Sequence, residues 1–205
     1  MKRTKRWLCI LLVLCMMLSV LPVTASAEET ATPAKELYKE DFESNFNATQ
    51  LGEGWERVEL EDGTHALQGR MDGGGLLAAL PMEGELPAEY TIVADVALVK
   101  GLNGSGYSAG VTFQQANDTH FYHFRLDHGG KTTSQLLRWP DKNNAVAPPA
   151  KNETEVKDGQ AYRLRVTVSG QTITGYVNGV QQFPYTADAS AAGGKVGLRV
   201  YNAVA

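Results

Sequence analysis

Within the segment Phe121-Tyr-His-Phe-Arg-Leu-Asp127, three polar side chains alternate: His123, Arg125 and Asp127. A strand puts residues two apart on one face. An extended backbone would therefore present an imidazole, a guanidinium and a carboxylate together. Arg199 and Tyr201 share the same spacing near the end of the chain, and neighbouring segments add Gln114, Arg138 and Trp139. A guanidinium donates in a fixed fork, a carboxylate accepts, and an aromatic plane packs against an apolar ring face. That combination suits a ring-shaped ligand with many hydroxyls. An ordinary solvated sheet face is the alternative, although Thr, Ser or Lys would serve solubility equally well.

Other chemistries find less support. Retaining glycoside hydrolysis needs two carboxyls about 5–5.5 Å apart. Glu59 and Glu61 run straight into Asp62-Gly63, and Glu83, Glu85 and Glu89 surround Gly84 and Pro87, so both clusters read as solvated loop charge. No G-x-S-x-G elbow occurs, and Ser105 and Ser108 lie at a glycine turn entering a strand. His120 and His123 would point to opposite faces of a strand, a poor pair for zinc even with Asp118 or Asp127. Asn103-Gly-Ser-Gly and Asp127-His-Gly-Gly are better oxygen-rich turns for a hard cation such as calcium. Plain glycine turns are the competing account of both.

The elements that must position these residues are strands. Period-2 alternation is strongest over 90–99, 107–115, 119–127, 135–139, 162–169, 172–178 and 195–201, and weaker over 38–42, 55–60, 65–69 and 75–80. No long segment carries a helical apolar period. Asn178-Gly179 between two apolar runs marks a hairpin, and Ser169-Gly170-Gln171 marks a second turn. Residues 143–159, with Pro148-Pro149 inside, read as an excursion loop. Tyr107, Ala109, Val111 and Phe113 share a face, as do Tyr122, Phe124 and Leu126, and Tyr162, Leu164, Val166 and Val168. Strands with one apolar face and no intervening helices predict two antiparallel sheets around a shared core, a β-sandwich.

The start of the chain reads differently. Met1 to Arg6 is basic, Trp7 to Leu21 is apolar, and Ala25-Ser26-Ala27 supplies small residues before Glu28. That is the layout of a signal peptide over 1–27, with an apolar run short of the roughly 20 residues a span needs. Residues 28–36 read as a flexible spacer and 37–205 as the folded domain. The expected location is secreted or cell-surface, in a bacterium, with no membrane contact after cleavage. Formal charge is −4, and the leader holds four basic residues and no acidic one, so the remainder stands at −8. An acidic domain has no electrostatic reason to bind nucleic acid. Both cysteines, Cys9 and Cys15, lie in the leader, which excludes disulfides and thiolate chemistry from the rest.

The runs Tyr90-Thr-Ile-Val-Ala-Asp-Val, Gly110-Val-Thr-Phe, Asn117-Asp-Thr-His-Phe-Tyr-His-Phe-Arg-Leu-Asp, Gly159-Gln-Ala-Tyr-Arg-Leu-Arg-Val, Ile173-Thr-Gly-Tyr-Val-Asn-Gly and Gly194-Lys-Val-Gly-Leu-Arg-Val-Tyr-Asn occur in that order. Together they resemble the concanavalin A-like lectin/glucanase superfamily, in its laminin-G-like, levan-binding carbohydrate-binding and 3-keto-disaccharide hydrolase-like branches. The resemblance implies an all-β jelly roll of two curved antiparallel sheets, often with structural calcium at the rim. It also implies a secreted non-catalytic module that binds a polysaccharide or oligosaccharide, within a larger glycan-processing protein. The alternatives are a structural or adhesion module and a glycoside hydrolase-like enzyme. The family pattern continues past Tyr201-Asn202 into a further strand, so the domain is expected to be cut before its last strand. The expected ligand-binding residues are His123, Arg125, Asp127, Trp139, Arg199 and Tyr201.

Overall fold

The computed structural model describes residues 35–44, 46–102, 106–128, 134–140, 146 and 156–205. Leu37–Ala205 form one compact unit. The leader, most of the spacer, Pro148-Pro149 and most of the 143–159 excursion lie outside the described residues. Among those described, no helix is long and apolar enough to cross a membrane.

The strands, in chain order, are β1 (Trp55–Glu59), β2 (His65–Gly69), β3 (Gly75–Ala79), β4 (Glu89–Ala97), β5 (Lys100–Gly101), β6 (Tyr107–Asn117), β7 (His120–His128), β8 (Ser134–Trp139), β9 (Ala161–Ser169), β10 (Thr172–Val177), β11 (Val180–Thr186), β12 (Lys195–Tyr201) and β13 (Ala203–Val204). A four-stranded sheet has the order β11-β10-β9-β4, and a five-stranded sheet has the order β3-β12-β6-β7-β8. Every pairing in both is antiparallel. Two small ribbons, β1-β2 and β13-β5, complete the β structure. The architecture is an all-β sandwich of antiparallel sheets, as the alternation predicts.

Local sequence explains the tight connections. Asn178 and Gly179 join β10 to β11 with φ of 49° and 82°, the left-handed pair that suits strand twist. Asn178 Oδ1 also accepts from the amide of Arg163 at 2.8 Å. Gly170 turns β9 into β10 at φ 59°.

The inner faces meet in one apolar cluster that contains Val111, Phe113, Phe124, Leu126 and Leu136 from one sheet and Leu164, Val166, Ile173 and Phe183 from the other. Phe124 and Phe183 bridge the sheets edge to face, with centroids 5.3 Å apart at 83°. Gly175 makes that contact possible, because a Cβ there would fall onto the Phe183 ring and crowd Phe124 Cζ.

Two expectations need correction. Residues 38–42 form no strand. Phe42 sits at φ 60°, and the Arg57 guanidinium takes the carbonyls of Phe42 and Glu43 at 2.6 and 3.1 Å. Those carbonyls are satisfied by a side chain instead of a ladder. Nor is the polar face of the five-stranded sheet solvated at its centre. Ser108, Thr112 and His123 are at most 1% exposed, so β6 and β7 are buried on both sides.

Gly175→Ala should lower stability by about 1–3 kcal/mol through overpacking, read as a lower urea midpoint with unchanged slope. An unchanged midpoint would show that the Phe124–Phe183 pair can move aside.

Candidate functional site

The outer face of the five-stranded sheet collects His123, Arg125, Asp127, Trp139, Arg199 and Tyr201. Register makes the grouping explicit. Arg125 on β7 lies opposite Gly110 on β6 and opposite Gln135 on β8. Gly110 in turn lies opposite Arg199 on β12, which lies opposite Leu77 on β3. The two arginines thus share one cross-strand row, with a residue lacking a side chain between them. One row along, His123 lies between Thr112 and Leu137. On the other side, Asp127, Ser108, Tyr201 and Gly75 form a third row. Trp139 lies opposite Phe121, and their rings stack with centroids 5.5 Å apart.

Arg125 is held at both ends. Its Nη2 donates to Gln135 Oε1 at 3.1 Å, and its Nε lies 2.9 Å from Asp127 Oδ1. The second contact is an ion pair without good hydrogen-bond alignment, and Asp127 Oδ2 has no hydrogen-bond partner among the described residues. Burial therefore outweighs the attraction of Arg125, and the Asp127 carboxyl is pushed up to about 6.

Arg199 is 8% exposed. Its guanidinium carbon lies 4.9 Å from the centre of the Trp139 ring and 5.7 Å from that of Tyr201. On its other flank is Gly75, where a Cβ would collide with the guanidinium. Among the described residues it has neither an ion pair nor a hydrogen bond. Burial and the nearby charge of Arg125 bring it down to about 10, so it stays cationic at neutral pH.

His123 is fully buried, and neither ring nitrogen has a hydrogen-bond partner among the described residues. Burial, then Arg199 and Arg125, hold it well below the usual imidazole range. The ring is neutral, with one donor and one acceptor unused. A buried polar group left in this state calls for an explanation.

Gln114 and Arg138 do not join the group. Gln114 sits at φ 50° in a bulge of β6 and donates to the carbonyls of Ser190 and Ala192. Arg138 pairs with the exposed Asp188 at 3.1 Å. Phe121, Gln135 and Leu137 belong to the face without having been singled out, although Phe121 shares the odd-numbered parity of His123.

The carboxylates set aside above are solvated, with Glu59 and Glu89 at strand ends and the others in loops. Glu59, Glu61, Glu83, Glu85 and Glu89 are all exposed. His120 bonds locally with Asn117 and Thr119 at the β6–β7 turn. The two turns considered for calcium fall partly outside the described residues. Among those described, no three metal-ligating side chains converge.

Two outcomes follow from this geometry. Gly75→Ala should displace the flexible end of Arg199 while the strand stays intact, with a stability change below about 1 kcal/mol. A displaced guanidinium would show as altered Trp139 fluorescence, and an unchanged spectrum would show that Gly75 does not seat Arg199. The raised Asp127 favours the protonated native state. Its contribution to stability is complete below the unfolded value of 3.8 and is lost as pH rises through about 6. Relative to Asp127→Asn, the wild type should lose on the order of 2–3 kcal/mol between about pH 4 and pH 7. A pH-independent difference in urea unfolding would mean that Asp127 titrates like a solvated carboxylate.

No family model matches the sequence, and no curated protein does. Solved structures do match. The carbohydrate-binding module CBM66 from Bacillus subtilis aligns with a TM-score of 0.57 at 20% identity, over 74% of this chain and 89% of that one. A Bacillus subtilis protein of unknown function with a galectin-like fold aligns at 0.55 and 12% identity, over 82% and 90%. The Bacillus licheniformis β-glucanase aligns at 0.47 and 12% identity, over 80% and 84%. At these identities the likeness is one of fold. The chain shares its fold with the CBM66 module and with the galectin-like protein.

Proposed function

We propose that the protein is an exported bacterial carbohydrate-binding module, non-catalytic, with a jelly-roll sandwich as its scaffold. The observation that carries this reading is the outer face of the five-stranded sheet. His123, Arg125, Asp127 and Arg199 converge there, and polar atoms of His123 and Asp127 are left unpaired. Arg125 and Arg199 donate to sugar hydroxyls or a ring oxygen. Asp127 accepts, and His123 lies sealed beneath them as a neutral ring.

The aromatic residues divide the remaining work. Trp139 is engaged by Phe121 and by the Arg199 guanidinium, so it serves as a positioning residue for Arg199. Tyr201 keeps a partly exposed ring and packs against a sugar face, a contact worth about 1 kcal/mol. The CBM66 structure, itself named as a carbohydrate-binding module, supports the reading through its fold.

Arg125→Ala and Arg199→Ala, each titrated against an oligosaccharide identified on a glycan array, should each weaken binding by about 2–5 kcal/mol. Folding, checked by circular dichroism, should be retained. Unchanged affinity in both variants would move the site off this face. Absence of binding to any glycan would favour a structural or adhesion role.

A further inference from the structure

Among the described residues, the charges on the outer face do not balance. The groups facing it from β7 are His123, Arg125 and Asp127, and those from β12 are Arg199 and Tyr201. β6 contributes Ser108, Gly110 and Thr112, β8 contributes Gln135, Leu137 and Trp139, and β3 contributes Gly75, Leu77 and Ala79, none of them charged. Lys195, on the same strand parity as Arg199, is turned to the carbonyls of Met82 and Gly84 at 2.8 and 2.6 Å. Two guanidinium groups therefore face one carboxylate, and Arg125 takes that carboxylate. Among the described residues, Arg199 is left with aromatic rings and no counter-charge.

An unpaired cation that is nine-tenths buried is costly, and a neutral sugar hydroxyl does not neutralise it. A carboxylate does, and it fits the two-pronged donor geometry of a guanidinium. The imbalance is not a by-product of composition, since the chain as a whole is acidic. Resting on the carbohydrate-binding reading above, we propose that the outer face of the five-stranded sheet takes an acidic sugar, a uronic acid unit whose carboxylate pairs with Arg199. The ring lies over Gly110, where no side chain stands between the arginines, and its hydroxyls meet Arg125 and Asp127.

The test is calorimetric titration of the protein with short oligouronides of galacturonate, glucuronate, mannuronate and guluronate, each beside its methyl ester. Esterification removes the charge and little else. Neutral fructan, glucan and galactan oligosaccharides and a sulfated galactan oligosaccharide complete the set. At least one uronide should bind about tenfold or more tighter than its ester, and Arg199→Gln should abolish that difference. Asp127→Asn supplies an opposite sign. It should strengthen uronide binding several-fold by removing the competing carboxylate, whereas a neutral sugar would lose an acceptor and bind more weakly.

Neutral or sulfated oligosaccharides binding while no uronide exceeds its ester would overturn the inference and leave the carbohydrate-binding reading standing. Binding by none of the set would overturn both. Near-ultraviolet circular dichroism of each variant confirms that loss of binding is not loss of fold. Should Arg199→Gln fail to fold, Gly75→Ala carries the same test, because it displaces the guanidinium without removing it.

Discussion

The pairing of β6 with β7 at Gly110 governs most of the molecule. A Cβ at Gly110 would run into the carbonyl of Phe124 and the Cα of Arg125, so the two backbones approach at a distance that only glycine allows. That approach fixes the register Gly110↔Arg125 and Val111↔Phe124. Because side chains alternate, Phe124 is then committed to the apolar core and His123 and Arg125 to the opposite face. A slip by one residue would exchange the two sets, burying two charges in the core and exposing three large apolar side chains.

The same strands therefore carry two interiors of different chemistry. On the inner side, Phe124 and Phe183 interlock over Gly175, and the gain is apolar burial with close packing. On the outer side the buried groups are polar, and several are incompletely satisfied. That side detracts from stability, as the raised Asp127 and lowered Arg199 both indicate. Breaking a local packing rule at one patch while the rest of the sequence obeys it is the pattern expected of a functional surface.

Small backbone devices hold the arginine row in place. Asn202, at φ 50°, follows Arg199 and Tyr201, and its Oδ1 accepts from the amides of Gly73 and Gly74 at 3.1 and 3.2 Å. This ties the end of β12 to the start of β3. Gly75 is brought beneath Arg199 in the process. The guanidinium is then confined between a bare backbone and the Trp139 ring, which reduces the freedom it would lose on gripping a ligand.

The amino-acid sequence determined the strands and their faces. Alternation in Tyr107–Phe113, Tyr122–Leu126 and Tyr162–Val168 is a local, period-2 signal, and burial of one face enforces it. The Asn178-Gly179 turn is equally local, since its residues tolerate φ above zero. Residues 38–42 misled because the carbonyls of Phe42 and the following Glu43 are taken by Arg57, 15 and 14 residues away, which no local pattern records. Parity likewise put His123, Arg125 and Asp127 on one face and Arg199 with Tyr201 on another. Only the tertiary structure decided that these are the same face, with β6 between them and Gly110 leaving the gap. It also decided that Arg125 has an anion, that Arg199 has none among the described residues, and that His123 is sealed from water. Strand order and charge pairing depend on residues tens of positions apart, and such contacts leave no trace in local spacing.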